Sequence, residues 1–426
     1  MNEATENAAT DQSLIDDGSM NDALETMRPL PRISIQAFCE SEEVLEVVNR
    51  CAQDRRMSRA HLRVVNGDIE TACTMFASSP TPNLVILENT KSADQLIEQL
   101  GDLADVCDAT TKVVVIGYDN DVQLYRNLTR RGVSEYLVSP VSLADIINVI
   151  ASIFVDPDSE PLGRTVAFIG AKGGVGSSTI AHNCAWGISN LFETEVILAD
   201  LDLAFGTANI NFDQDPPQGI AEAVFSPERL DDVFLERLLS KCASHLSMLA
   251  APSMLDRTYD FNRTSFEPIL EAVQRTAPVA VLDVPHMWTE WTKSVLSEVD
   301  DVVVVAAPDL ANLRNTKNLI DTLAKLRPND KMARLVLNQV GMPKRPEIAV
   351  ADFCEPLGLE ASAIIPFDAL LFGTASNSGR MIAETDAKAP VAETFAQLAH
   401  VLTGRVEVKG RKKPGLSGLR ALLARK

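Results

Sequence analysis

The stretch Thr165-Val-Ala-Phe-Ile-Gly-Ala-Lys-Gly-Gly-Val-Gly-Ser-Ser-Thr179 decides how this chain is read. Its opening run, Thr165–Ile169, is apolar and rich enough in strand-forming residues for a buried strand. Glycines follow at 170, 173, 174 and 176, and a helical pattern starts at Ile180. Glycine lets backbone N–H groups turn inward around an anion, and a helix start adds the positive end of its dipole. Strand, glycine-rich loop and helix in that order are the context a phosphate loop requires. A glycine-rich turn without a ligand is the plain alternative, and the order of elements speaks against it.

Working outward, further apolar runs alternate with helical stretches as far as Gly404. The candidate strands are Thr165–Ile169, Glu195–Ala199, Ser247–Ala250, Val279–Leu282, Val302–Ala306, Arg334–Leu337 and Ser362–Ile365. Several are apolar almost throughout, as central parallel strands buried on both faces must be. Upstream, a second alternation runs through Ile33–Ala37, Leu62–Val65, Leu84–Leu87, Val113–Ile116 and Tyr136–Val138. Amphipathic segments such as Glu42–Gln53 lie between these strands, and Ser142–Phe154 follows the last. Five strands alternating with five helices predict a flavodoxin-like doubly wound sheet. The expected organisation is therefore α/β throughout: an acidic tail over 1–29, a first domain over 30–154, a polar two-proline linker over 155–163, a second domain over 164–404 and a basic tail over 405–426.

Charge separates these parts. The 426 residues carry 39 Lys+Arg against 59 Asp+Glu, a net charge of −20. Residues 1–29 hold seven acids and one base, with few large apolar side chains, the composition of a segment expected to be disordered. Residues 405–426 hold eight Lys/Arg and one Glu, so the rest of the chain stands at −27. A body that acidic repels a phosphate backbone, which argues against a general nucleic-acid binder. No apolar run approaches the roughly 18–20 residues of a membrane span. The N-terminus has no basic region or apolar stretch of a secretory signal. Seven single cysteines, without CxxC or metal spacing, fit a reducing compartment. A cytoplasmic protein is expected.

The loop and the motifs after it resemble the deviant Walker-A ATPases of the MinD/ParA group, whose loop reads KGGxGK[ST]. The resemblance covers about 240 residues of a P-loop NTPase with a doubly wound parallel sheet. It implies ATP held by Gly173, Gly174, Val175, Gly176, Ser177, Ser178 and Thr179. Lys172 matches the signature lysine that reaches across a dimer to the partner's ATP. Ser178 matches the Mg²⁺-binding hydroxyl, and Asp202, in Asp200-Leu-Asp202, matches the switch residue near metal and attacking water. Asp283, in Val281-Leu-Asp-Val-Pro285, matches Walker B, a catalytic and metal position. Asn338, ending Leu335-Val-Leu-Asn338, matches the reader of adenine, and Pro366 and Asp368, in Ile365-Pro-Phe-Asp368, match the loop over the base. His286, Trp288 and Trp291 read as packing and a helix start. The five histidines read as dispersed, and no Ser/His/Asp, Cys/His or metal-ligand constellation is predicted.

One departure carries weight. Where the ordinary loop lysine neutralises the β- and γ-phosphates, this chain has Ser177. A charge-assisted contact is worth about 1.5–3 kcal/mol, so its absence weakens ATP binding by roughly 10–100-fold. The phosphoryl-transfer transition state also loses a positive charge. ATP binding with slow hydrolysis is the expectation.

The first domain resembles the receiver domain of response regulators without its chemistry. A working receiver needs an acidic pair, an Asp, a Thr/Ser and a Lys at successive strand ends. Here these ends read Ala37-Phe-Cys-Glu40, Leu87-Glu88-Asn89, Ile116-Gly117 and Val138-Ser139-Pro140. Phosphotransfer is not expected. Two readings of Glu88 stand, mimicry of a phosphorylated Asp and neutral drift. The domain is expected to bind partners through its last helix and strand. In the basic tail, Leu416, Leu419, Leu422 and Leu423 share one helical face behind Arg411-Lys-Lys413. Peripheral contact with an anionic membrane, docking on a membrane-bound partner and a plain solvated tail all remain open.

A degenerate receiver fused to a MinD/ParA-type ATPase with the loop KGGVGSST resembles the CpaE/TadZ family of pilus assembly proteins. The resemblance implies a dimeric, ATP- and Mg²⁺-binding localisation factor for the Flp (tight adherence) pilus. Its implied partners are the secretion ATPase, the inner-membrane platform or polar hub proteins, at the inner membrane or a cell pole. The competing readings are a cycling ATPase for division-site or chromosome positioning, and a signalling regulator driven by the first domain.

Overall fold

The computed structural model describes residues 30–155, 162–255 and 258–405. The acidic tail, most of the linker and the basic tail beyond Arg405 lie outside the described residues. Two units organise the rest. One takes the chain up to Leu162 together with Lys293–Asp300 and Ile320–Ala333, and the other takes Gly163–Thr292, Asp301–Leu319 and the chain from Arg334 onward.

In the first unit, strands β1 (Ser34–Cys39), β2 (His61–Asn66), β3 (Leu84–Glu88), β4 (Lys112–Gly117) and β5 (Glu135–Val138) pair in parallel in the order β2-β1-β3-β4-β5. This is the expected flavodoxin-like order, with its switch point between β1 and β3. Strand side chains alternate between two apolar layers. Ile86 packs with α1 (Glu42–Ala52) and α5 (Leu143–Phe154), while Val85 and Leu87 face the layer of α2 (Ile69–Phe76), α3 (Ala93–Val106) and α4 (Val122–Arg130). Helix α1 starts at Ser41, whose hydroxyl accepts the Val44 N–H, and buries Val44, Val48 and Cys51 at helical spacing. Helix α5 begins with a capping box between Ser142 and Asp145.

Glu88, the last residue of β3, is fully buried at the switch point. One oxygen accepts the N–H groups of Glu40 and Ser41 at 2.7 and 2.9 Å, and the other accepts the Ser41 and Tyr118 hydroxyls at 2.6 and 2.7 Å. Burial alone would raise its pKa, but the donors from Ser41, Tyr118 and Glu40 outweigh it, and the carboxyl stays below its ordinary range. The same unit contains a buried ion network. Asp330 receives Arg55, Arg56 and Arg327 at 3.0, 3.1 and 3.2 Å, while Arg55 also meets Asp300 and Arg56 meets Asp54.

The second unit is built on an eight-stranded sheet: β6 (Arg164–Gly170), β7 (Val196–Asp200), β8 (Ser240–Ala243), β9 (Leu246–Leu249), β10 (Val279–Val284), β11 (Asp301–Ala306), β12 (Arg334–Val340) and β13 (Ala361–Pro366). The order is β13-β12-β11-β6-β10-β7-β9-β8, and all pairs are parallel except β8 with β9. The seven parallel strands are those expected from the sequence, with ends moved by at most three residues. The eighth, β8, reads Ser-Lys-Cys-Ala, too polar and unbranched to stand out, and exists through its pairing with β9. Helix α6 (Ser177–Phe192) packs its Ile180, Ala181, Cys184, Ala185 and Ile188 into the core beside the helix Pro390–Thr403.

Candidate nucleotide site

The register brings the quoted motifs to one edge of this sheet. Strand β6 lies between β10 and β11, and β10 lies between β6 and β7. Asp283 of β10 stands opposite Phe168 of β6 and opposite Asp200 of β7. The glycine loop and both acidic strand ends therefore converge at the carboxyl edge, where ligands bind in open parallel sheets.

The loop itself is held from outside by side-chain donors. Its carbonyls at Ala171, Gly174 and Val175 accept from Asn315 at 2.9 Å, Gln339 at 3.0 Å and Asn338 at 2.7 Å. His286 Nδ1 donates to the carbonyl of Gly170 at 2.8 Å, which fixes the proton on Nδ1. Gly174 and Gly176 have φ of +79° and +85°, the left-handed region that favours glycine. A Cβ at Gly176 would sit 2.6 Å from Asn338 Nδ2, whereas Gly173 and Gly174 face open space. By helix geometry, the first N–H groups of α6 have no intrahelical acceptor. The Ser177 hydroxyl is buried with no hydrogen-bond partner. Glycines open on one side, carbonyls tied back and an orphan hydroxyl at a helix start fit a phosphate group.

The other expected residues fall around this cradle. Lys172 is exposed. Burial raises the pKa of Asp309, but the donors of Asn312 and, after them, the charge of Lys172 hold its carboxyl low. Asp202 is half-buried; its Oδ1 accepts the Phe205 N–H at 3.0 Å, and burial followed by the charge of Asp283 pushes its pKa up. Asp283 is buried. Asn338 ends in the loop contact just described. Pro366 closes β13 and Asp368 caps the helix Ala369–Asn377, accepting the Leu371 N–H at 2.9 Å. Both are exposed, three strands from β6, about 14 Å along the sheet. Trp291 is buried against Phe266, as expected for a packing residue, while Trp288 and His286 are exposed.

One expectation is corrected. A metal-ligand type constellation does assemble: His182 Nε2, Asp200 and Asp283 offer ligand atoms within 4.8 Å of one another, all three residues buried. His182 lies one helical turn beyond Ser178 on α6, and the two acids end neighbouring strands. Asp200 accepts N–H groups from Asp202 and Ala208, both at 3.1 Å. Burial first, then the adjacent Asp283, raise its pKa strongly, against the pull of His182. The strand order, invisible in the sequence, makes this cluster. The signals present were a histidine one turn after the loop hydroxyl and two acids at strand ends.

Comparison with known proteins places the first unit's sequence. A pilus assembly protein CpaE from Caulobacter crescentus CB15 is 44% identical to the N-terminal part of this chain; the match covers 30% of this chain and 98% of that one, with a TM-score of 0.30. The chain belongs to the CpaE family. The identity across nearly the whole of that relative carries the assignment. Over 55% of this CpaE-family chain, a ParA family ATPase from Chlorobium tepidum TLS is 21% identical, with 98% of its own chain covered and a TM-score of 0.51, which shows a shared fold. The septum site-determining protein MinD of Bacillus subtilis (strain 168) is 22% identical over 257 residues, 57% of this chain and 90% of that protein. No protein-family model matches the chain.

Proposed function

We propose that this chain is an ATP-binding assembly and localisation factor for the Flp (tight adherence) pilus machinery, working as a nucleotide-dependent homodimer. The observation that carries the reading is the 170–178 cradle in a CpaE-family chain, with Ser177 where the loop lysine stands in related ATPases. The N–H groups of Gly173 to Ser178 hold the phosphates, with Thr179 following. Asn338, whose second amide hydrogen is available beyond the Val175 contact, reads the base between the ends of β12 and β13, with Pro366 and the loop at Asp368 beside it. Ser178, Asp202 and Asp283 hold Mg²⁺, which when bound neutralises charge on the phosphates. Lys172, exposed at the rim, serves the partner's nucleotide.

The same edge is apolar where a second copy would meet it. Phe205 after β7, Met287 and Trp288 after β10 and Leu310 after β11 are all exposed. With Ser177 in the loop, hydrolysis is slow and the dimer long-lived, which suits a scaffold better than a cycling ATPase for division or chromosome positioning. Pairing raises avidity for the secretion ATPase, membrane platform or polar hub. The basic segment 406–426 adds a contact to an anionic inner-membrane surface at the pole. Among the described residues no helix is long and apolar enough to cross a membrane.

The test is ATP binding, turnover and mass with and without Mg-ATP, beside Lys172→Ala. ATP-dependent dimers that need Lys172 and turn over slowly support the reading. Rapid turnover removes the argument from Ser177, and no ATP binding removes the nucleotide role.

A further inference from the structure

We infer that His182, Asp200 and Asp283 form a binding site for a divalent transition-metal ion that loads without nucleotide and shares the Asp283 carboxylate with the Mg²⁺ position proposed above. The argument begins with charge. Asp200 is 0% exposed and Asp283 is 3% exposed, side by side on adjacent strands. Buried carboxylates on neighbouring strands repel strongly unless a proton or a cation lies between them. Among the described residues, no Lys or Arg forms an ion pair with Asp200 or Asp283. The group facing them is an imidazole.

His182 is the second, independent observation. Its ring is 1% exposed, and Nε2 points at the pair, 3.2 Å from Asp283 Oδ2, without the alignment of a hydrogen bond. The three ligand atoms lie within 4.8 Å of one another, close to the roughly 4 Å spanned by two opposed metal–ligand bonds, so a single cation can reach all of them. One nitrogen and two carboxylates select a borderline ion such as Zn²⁺, Co²⁺ or Mn²⁺; Mg²⁺ favours an all-oxygen shell with several waters.

The groups that touch these ligands suit this role. Asn211 places its side-chain amide 2.9 Å from His182 Nδ1. Binding at Nε2 requires the ring proton on Nδ1, and a half-turn of the Asn211 amide presents Oδ1 to accept it. The backbone N–H groups of Asp202 and Ala208 orient Asp200. A cation here ties together the start of α6 and the ends of β7 and β10, and supplies positive charge one helical turn below the position where Ser177 supplies none.

The experiment uses the full-length protein, stripped by chelator and titrated with Co²⁺ in the absence of nucleotide. Visible absorption reports ligand geometry, and equilibrium dialysis with Zn²⁺ reports stoichiometry. The expected result is one equivalent per chain. His182→Gln should weaken it by at least about 100-fold, and His245→Gln, a surface histidine paired with Glu195, should leave it unchanged. Circular dichroism checks the variant's fold, and Asn211→Ala, expected to lose about 10-fold in affinity, serves if His182→Gln does not fold. Absence of saturable Co²⁺ binding, wild-type binding in both site variants, or equal competition by Mg²⁺ would overturn the assignment. ATP binding measured on the same stripped sample keeps the outcome separate from that of the nucleotide proposal.

Discussion

Ser177→Lys should tighten ATP binding by roughly 10–100-fold. The Ser177 hydroxyl is buried at the head of α6 with no partner, so the substitution removes no protein contact. The lysine gains a charge-assisted contact to phosphate of about 1.5–3 kcal/mol. Without nucleotide its ammonium sits at the positive end of the helix dipole, which costs about 0.3–1 kcal/mol. The variant should therefore melt slightly below the wild type alone and above it in Mg-ATP. Ser177→Ala supplies the opposite control. Removing an orphan hydroxyl should leave the nucleotide-free protein unchanged or more stable by up to about 1–3 kcal/mol. Isothermal titration calorimetry at fixed Mg²⁺ gives the affinities, and thermal melts with and without ATP give the stabilities. Affinity for Ser177→Lys no higher than wild type would refute the reasoning, as would marked destabilisation by Ser177→Ala.

Further outcomes follow from the geometry at three places: the glycine loop, Glu88 and Asp330. Gly176→Ala forces a left-handed residue and displaces Asn338 from Val175, so it should cost about 2–3 kcal/mol in denaturant melts. Gly173→Ala, with open space around it, should stay within about 0.5 kcal/mol of wild type. Glu88→Gln turns an amide donor onto two existing donors and should cost about 3 kcal/mol or more, while Tyr118→Phe, at a half-exposed ring, should cost about 1 kcal/mol. Because the Glu88 carboxyl is held low, its contribution is complete above the ordinary glutamate range and disappears as pH falls through its folded value; urea melts across acidic pH should show this loss in wild type and not in Glu88→Gln. Asp330→Ala leaves three guanidinium groups short of their shared carboxylate and should cost about 3–5 kcal/mol. Burial raises the Asp330 pKa, but Arg55, Arg327 and Arg56 outweigh it, so this stabilisation too is lost as pH falls, a dependence absent from the alanine variant.

Much of this was legible in the chain because it is local. The glycine loop, its strand and its helix lie within 30 residues, and apolar runs such as Val302–Ala306 announce buried parallel strands wherever they occur. Strand β8 was not legible, since Ser240–Ala243 becomes a strand only against β9. The cluster of His182, Asp200 and Asp283 escaped for the same reason on a larger scale: it depends on β7 and β10 being neighbours, and about 80 residues separate their acids in sequence. The support of the loop by His286, Asn315 and Gln339 likewise comes from elements far along the chain. Glu88 was visible as an odd residue at a strand end, but its four donors come from the turn between β1 and α1 and from the segment after β4, which only folding brings together.

A carboxylate offers about four lone-pair directions, and at Glu88 each oxygen already faces two donors. An arriving cation finds no free oxygen there, and an incoming phosphoryl group finds the side chain already engaged. A module laid out like an on–off relay has thereby become a bracket, with its lever fastened at the hinge. A cation or a phosphoryl group arriving at Glu88 has no open oxygen through which to shift this domain.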